Sequence, residues 1–379
     1  MRIERLVIQD WRNYRRCDLS LHSGLNILIG KNAQGKTNLL ESIHFLSTGR
    51  SHRTSSQSDL IRWEAPGFFL HATVQKRHVN VSIDFSLARD NQRRLKINGV
   101  IEHRLSCLLG VINSVIFDPD DLQLLKGAPA LRRRFLDVEI SQVSQRYLYA
   151  LQQYSRVLKQ RNQALKNLVT HSERETVDVW DEQLVNYGSR LIAMRQQALF
   201  TLQAHAKKNL KDISQGREDL ELSYRPFGRK LTLSFQEDTI RHQFWEILQR
   251  EKPREYLRRQ SLVGPHRDDF VCLVNGVDIR SFGSQGQQRS SVLALKLAEL
   301  EYMREMTGDY PVLLLDDVLS ELDESRRQEL LSRVDRGVQT LITGTEANLF
   351  SGLQDKSALI GEIEDGCLSI VSSNCTREV

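Results

Sequence analysis

Gly30-Lys31-Asn32-Ala33-Gln34-Gly35-Lys36-Thr37 decides how this chain is read. Leu25-Asn26-Ile27-Leu28-Ile29 precedes it, an apolar run of the length of a buried strand. Asn38-Leu39-Leu40-Glu41-Ser42-Ile43-His44-Phe45-Leu46 follows, apolar at helical spacing. A strand, then G-x-x-x-x-G-K-T, then a helix is the context of a phosphate-binding loop. The glycines let backbone wrap an anion with no Cβ in the way. The unpaired N–H groups of the helix start, with the helix dipole, favour negative charge. In such a loop Lys36 reaches the β- and γ-phosphates and the Thr37 hydroxyl sits on Mg²⁺. The stretch implies a nucleotide without saying what the nucleotide is for.

Working outward, the N-terminal side reads as strands. Ile3, Leu6 and Ile8 alternate, Trp11-Arg12-Asn13-Tyr14 makes a turn, and Asp18-Leu19-Ser20-Leu21-His22 follows. Antiparallel strands ahead of a phosphate-binding strand predict a mixed sheet. On the other side Gly49-Arg50-Ser51-His52-Arg53-Thr54 is a basic loop. Strands are expected at Phe68–Val74, Val79–Phe85 and Val111–Phe117, with an Asn98-Gly99 hairpin between the last two. The period then changes. Apolar residues fall at helical spacing from Leu131 to Leu168 and again from Val177 to Leu210, separated by His171-Ser172-Glu173-Arg174. Two such helices make an antiparallel hairpin with arms of about 50 Å. Strands at Leu220–Tyr224 and Leu231–Phe235, a helix from Thr239 to Arg259 and a strand at Phe270–Val274 come next.

Two motifs near the C-terminus complete the pattern. Ser284-Gln285-Gly286-Gln287-Gln288 opens a strong helix and forms a second anion-binding helix start, with Ser284 placed to cap it or to present its hydroxyl. Pro311-Val312-Leu313-Leu314-Leu315-Asp316-Asp317 is an apolar strand ending in two acids, which a parallel sheet sets beside the phosphate loop. Asp316 fits the acid that orients Mg²⁺, and Asp317 the one that polarises the attacking water.

Composition narrows the classes. The 379 residues allow two domains or one large one, and 40% hydrophobic with 27% charged residues is ordinary globular composition. No apolar run is long enough to span a membrane and no signal-peptide core is present, so a cytoplasmic location is expected. The five cysteines are scattered without a C-x-x-C, which predicts reduced thiols rather than zinc or disulfides. Net charge is only +5, but residues 50–104 carry ten basic against five acidic side chains and residues 130–166 eight against two. Such a stretch could follow a phosphate backbone or be a solvated face. Arg50, Arg53, Lys76, Arg77, Arg132 and Arg133 are the candidates for DNA contact.

The order of motifs (phosphate loop, Ser-Gln-Gly-Gln, apolar-Asp-Asp, Ser320-Glu321-Leu322-Asp323) resembles the ATP-binding-cassette ATPases. That resemblance implies that the Ser284 motif caps the γ-phosphate held by a second copy, so that two ATPs join a head-to-tail homodimer. The long insertion between Lys36 and Ser284 looks like that of the chromosome-maintenance and double-strand-break repair ATPases. Asp118-Pro119-Asp120-Asp121-Leu122, Arg132-Arg133-Arg134-Phe135-Leu136-Asp137 and Gly264-Pro265-His266-Arg267-Asp268-Asp269 closely resemble the RecF family of bacterial recombination proteins. The implied fold is α/β: an ABC-type P-loop ATPase head with a mixed sheet, formed by residues 1–105 and 260–379. A mainly helical lobe at 106–259 would carry the hairpin at about 131–212. The implied function is ATP-dependent binding of duplex and gapped DNA in replication and in recombinational repair after DNA damage, within the SOS response. RecO and RecR would be partners in loading recombinase. Asp317 stands where most cassette ATPases have Glu, which implies weak, DNA-stimulated hydrolysis used as a switch. Gly344 and Thr345 stand where a switch histidine is expected, leaving Thr345 as the γ-phosphate sensor. A transporter's nucleotide-binding subunit and a small-molecule P-loop kinase are the other readings. The first is opposed by the insertion and the missing histidine, and the second has no need of the Ser284 motif.

Overall fold

The computed structural model describes all residues except 78, 168–171, 229–234, 323–325, 328–329, 332–336, 347–349, 351–357 and 374–379. The chain divides into two compact units, Met1–Asp121 with Glu299–Val379, and Leu122–Ala298.

Among the described residues the first unit holds two six-stranded sheets. One is antiparallel and runs Tyr14–Ser20, Arg2–Trp11, Gly67–Lys76, Val79–Ala88, Arg93–Ile97, Val100–Glu102. Its strands alternate, with Leu6, Ile8, Leu70, Ala72, Ile83 and Phe85 buried on one face. The other runs Cys367–Ser373, Ala358–Glu364, Leu25–Ile29, Thr340–Gly344, Val312–Leu315, Ser114–Phe117. All but Cys367–Ser373 are parallel. Val312–Leu315 and Thr340–Gly344 are buried at every residue, which explains why they read as unbroken runs rather than alternating ones. The mixed sheet predicted from the first strands is present for a different reason. Those strands belong to the antiparallel sheet, and the C-terminal strand is what makes the parallel sheet mixed. The phosphate-loop helix Lys36–Thr48 joins the two layers. Leu39, Leu40, Ile43, Phe45 and Leu46 share one core with the antiparallel sheet and with Leu28, Leu314 and Leu341. Phe45 stands 5.4 Å from Trp11 and 5.0 Å from Phe85 between ring centroids.

The second unit is mainly helical. The spacing from Leu131 onward predicts one helix, but the structure has two, Pro129–Val143 and Gln145–Lys166. Ser144 breaks the run: its backbone is extended and its hydroxyl accepts from Tyr147 N–H at 3.2 Å, starting a new helix. The second arm is the 42-residue helix Ser172–Ile213. The arms do not stand free as helices with one wet face all round. Arg161, fully buried on the first, donates to Asp181 at 2.6 Å on the second and to Glu255 at 2.6 Å on helix Glu237–Arg258. Removing Arg161 would leave the buried Glu255 carboxylate without its cation, whereas Asp181 would keep Lys252 at 2.9 Å. Residues 260–298, assigned to the head from sequence, lie in this unit. Asp269–Val274 pairs with Leu220–Arg225 in a separate sheet, three-stranded among the described residues, whose alternation buries Phe270, Cys272 and Tyr224. The strand expected at Leu231–Phe235 falls, apart from Phe235, outside the described residues. Among the described residues no helix is long and apolar enough to cross a membrane.

Candidate nucleotide site

The parallel registers align Ile29 with Gly344 and align Leu315 with both Ile342 and Phe117. The phosphate loop, Asp316 and Asp118 therefore leave the sheet at one carboxyl edge, where ligands bind in open parallel sheets. The loop is shaped by what packs behind it. A Cβ on Gly30 would come within 2.4 Å of the Ile363 carbonyl of the neighbouring strand. Gly35 has φ +115°, and a Cβ there would meet the Asn13 amide at 2.7 Å. Asn13 Nδ2 donates to Gln34 O at 2.9 Å and Tyr14 OH to Gly35 O at 3.0 Å. From the C-terminal hairpin, Gly366 N donates to Gln34 O at 3.0 Å and Asp365 N to Gln34 Oε1 at 2.6 Å. Lys31, Asn32 and Ala33 stay exposed at the loop tip. Lys36 is buried, and its Nζ donates to the carbonyls of Gly30 at 2.5 Å and Lys31 at 2.9 Å. Burial lowers its pKa, opposed by the carboxylates of Asp317 and Asp316.

The acids are in place beside it. Thr37 Oγ1 donates to Asp316 Oδ1 at 3.0 Å across 279 residues of sequence. Thr343 Oγ1 donates to the same oxygen at 2.9 Å and accepts from Asp317 N at 2.9 Å. Burial raises the Asp316 pKa, and the two hydroxyls work against that shift. Asp317 has a left-handed backbone, φ 53° and ψ 19°. Its Oδ1 is buried and has no hydrogen-bond partner among the described residues. Asp and Asn tolerate this conformation better than longer side chains. That is a physical reason for Asp rather than Glu at this position.

Several contributors were not visible in the sequence. Thr343, not Thr345, touches both acids; a lone hydroxyl inside the apolar run Leu341-Ile342-Thr343 was the signal available. Asn13, Tyr14, Asp365 and Gly366 hold the loop from the two ends of the chain, and nothing local marks them. Glu41, fully buried on the loop helix, receives both arms of Arg12 at 2.8 Å each and the Ser51 hydroxyl at 2.5 Å. His52 packs 5.4 Å from His44 and lies 3.9 Å from Asp118. Burial lowers its pKa more than Asp118 and Glu41 raise it.

The Ser284 motif belongs to the second unit. Gln287 N donates to Ser284 Oγ at 3.2 Å, and Ser284 N donates to Gln287 Oε1 at 3.0 Å. This is a reciprocal capping box at the start of helix Gln285–Thr307. Ser284 and Gln285 are exposed, Gly286 and Gln287 partly so. Because Ser284 Oγ accepts from the backbone, its own proton remains to be donated. Asp323 of the following acidic loop lies outside the described residues.

The DNA candidates separate. Arg132 is buried, clamps Asp269 at 2.7 and 3.0 Å, and donates to the carbonyls of Leu124, Leu125 and Gly127. Every arm of its guanidinium is in use, so it is a structural residue and not a DNA contact. Arg133 is half-buried on the Asp268 carbonyl at 2.8 Å, and Lys76 half-buried on that of Gly110. Arg77 pairs with Asp309 at 3.6 Å. Arg50 and Arg53 are exposed, Arg53 holding Asn38 Oδ1 at 2.9 Å.

A phosphate loop on a parallel strand, acids at the same sheet edge and an antiparallel sheet covering the loop helix define a P-loop ATPase head. The Smc head domain of Pyrococcus furiosus shares this fold, with a TM-score of 0.56 at 14% identity over 98% of this chain and 96% of that one. The family described as the RecF/RecN/SMC N-terminal domain matches residues 2–367. A DNA replication and repair protein RecF from Halalkalibacterium halodurans is 42% identical over 97% of this chain and 99% of its own length. A solved structure of the recombination mediator protein RecF with ATP superposes with a TM-score of 0.89 at 35% identity, over 98% of this chain and 97% of that one. The chain belongs to the RecF family of DNA replication and repair proteins.

Proposed function

We propose that this chain binds ATP and clamps DNA as an ATP-dependent homodimer during replication and recombinational repair. The observation that carries this reading is the 3.0 Å contact of Thr37 with Asp316, beside an Asp317 carboxylate oxygen that is buried and unpaired. An orphaned buried acceptor at a sheet edge is a place for water or ligand. Thr37 and Asp316 are hard oxygen donors suited to Mg²⁺. Among the described residues no cluster of three or more metal-ligating acids, histidines or cysteines exists. A metal held by one or two side chains together with nucleotide phosphates needs none. Mg²⁺ bound there would neutralise charge on the phosphates. Lys36 would bind the β- and γ-phosphates, and the loop N–H groups from Asn32 to Thr37 would cradle them. Asp317 would hold the attacking water, as the base of a slow hydrolysis that works as a switch.

The exposed Ser284, Gln285, Gly286 and Gln287 support closure by a second copy, with the free Ser284 proton given to the γ-phosphate in trans. DNA at single-strand/double-strand gaps would be held through backbone phosphates with little base reading. The pathway named for the structurally similar protein supports RecO and RecR as partners in loading recombinase. Sedimentation and DNA binding, with and without Mg·ATP at two salt concentrations, test the reading. Dimers that need ATP, with duplex binding that falls as salt rises, are expected. ATP turnover by a monomer with no DNA affinity would instead mean a small-molecule kinase.

A further inference from the structure

The outer face of the antiparallel sheet carries chemistry that the nucleotide site does not use. Its registers place Arg16, Gln9, Phe69, Ser86 and Arg94 in one row across five strands. At the usual strand spacing the row is about 19 Å long. It borders an open groove of about 600 Å³ lined by Gln9, Phe69, Ser86, Arg93 and Arg94, among others. Pro66 and Gly67 also line the groove, and the turn leading into them presents Trp63, which is 88% exposed. That turn is fixed. Arg62 pairs with Asp10 at 2.7 Å, and Arg89 donates to the carbonyls of Ala65 at 2.5 Å and Arg62 at 3.2 Å. Arg16 and Arg94 are exposed and neither forms a salt bridge among the described residues, although the Asp18 carboxylate, clamped by Arg5, lies near enough to feel the charge of Arg16.

Each feature alone is ordinary. Single exposed aromatics are common on protein surfaces, and arginines keep sheets soluble. Together they form a half-exposed aromatic in the middle of a row, arginines at both ends, and an almost fully exposed indole held on a rigid turn. We propose that this face binds single-stranded nucleic acid. Splayed bases would stack on Phe69 and Trp63, and Arg16 and Arg94 would take the phosphates. A sheet face of this width suits two or three bases, and such binding is sequence-tolerant because every base has a π-face. In a duplex the bases are already stacked on each other, so the aromatics would find no partner. The inference rests on the DNA-binding reading above and deepens it, giving the single-stranded side of a gap a location.

The test uses the full chain with Mg·ATP and labelled oligo(dT), blunt duplex and an acidic peptide. Arg16→Ala with Arg94→Ala should weaken oligo(dT) binding about tenfold. The same pair should reduce the slope of log affinity against log salt by about 1.4, at roughly 0.7 per single-strand phosphate. Trp63 fluorescence should be quenched by oligo(dT), with the quench gone in Trp63→Phe, a change at an exposed site that leaves folding intact. Blunt-duplex affinity and ATP-dependent dimerisation should not change. Unaltered oligo(dT) binding overturns the proposal, as does an equal loss on blunt duplex. So does an acidic peptide that displaces oligo(dT), which would make the face a protein-docking surface. If instead the wild type neither dimerises with ATP nor binds duplex, the proposed function fails while the oligo(dT) arm still reports on this face.

Discussion

The two helix starts proposed to meet phosphate are built in opposite ways. The phosphate loop is held from outside, by Asn13 and Tyr14 on one side and by Asp365 and Gly366 on the other. The Ser284 helix start holds itself, through a cap closed within four residues. A loop that must wrap phosphates cannot satisfy its own backbone, because the N–H groups it would use are those the ligand needs. It is therefore buttressed through its carbonyls, at Gln34 and Gly35, which leaves the N–H groups to the anion. The Ser284 cap is closed by its own residues and stays exposed, which suits the proposed meeting with a second molecule. The difference fits the proposed division of labour, in which one start cradles the nucleotide and the other closes over it.

That division is most directly broken at Lys36 and Ser284. Lys36→Ala removes a buried cation from the cradle. ATP affinity, measured by nucleotide fluorescence, should fall on the order of 1,000-fold, about 4 kcal/mol, and dimerisation should disappear with it. Ser284→Arg places bulk and positive charge on the exposed cap. Monomer ATP affinity should stay within about twofold while ATP-dependent dimers are lost by sedimentation. Loss of both properties in Ser284→Arg would place the two starts in one cradle and end the comparison. Asp317→Asn is the next largest effect. Asn suits the left-handed backbone as well as Asp does, so folding should be kept. Hydrolysis should slow on the order of 100-fold, as for loss of a general base, and ATP-bound dimers should persist. An unchanged turnover rate would remove Asp317 from the chemistry.

How much of this was legible in the sequence follows from where the contacts run. The strand, loop and helix around Gly30–Thr37 could be read because their signals are contiguous, as could the apolar strand ending in Asp316 and Asp317. The resemblance then tied them to the Ser284 helix. The assignment of 260–298 to the head went the other way. Phe270–Val274 reads as a strand, but nothing in its alternation says that its partner is Leu220–Arg225 rather than a strand of the head. Arg132 shows the same limit. A basic run looks the same whether its guanidinium meets water or a buried Asp269, and only the fold decides. Ser144 hid in a helical period because a cap inside an apolar repeat changes one residue only. The buttress of the phosphate loop was the least visible part, since it depends on residues drawn from both ends of the chain.

The buttress also supplies the smallest and sharpest test. Tyr14→Phe keeps the ring in its core position, where it is fully buried, and removes only the hydroxyl that donates to Gly35 O at 3.0 Å. One neutral hydrogen bond to a buried carbonyl is worth about 1 kcal/mol. Gly35 sits at φ +115°, at the turn into the loop helix, so its carbonyl orientation sets the direction of the N–H groups that follow. If the support acts on the cradle, ATP affinity should fall about fivefold and denaturant stability should fall by a similar ~1 kcal/mol. The Ser284 half offers the control. Ser284→Ala removes a cap of similar value, also about 1 kcal/mol, from a helix start that in the proposed reading binds no nucleotide by itself. It should lower stability while leaving monomer ATP affinity unchanged. Equal effects of the two substitutions on ATP affinity would mean that the loop is not held through its carbonyls. An affinity loss confined to Tyr14→Phe ties the shape of the cradle to the turn at the far N-terminus.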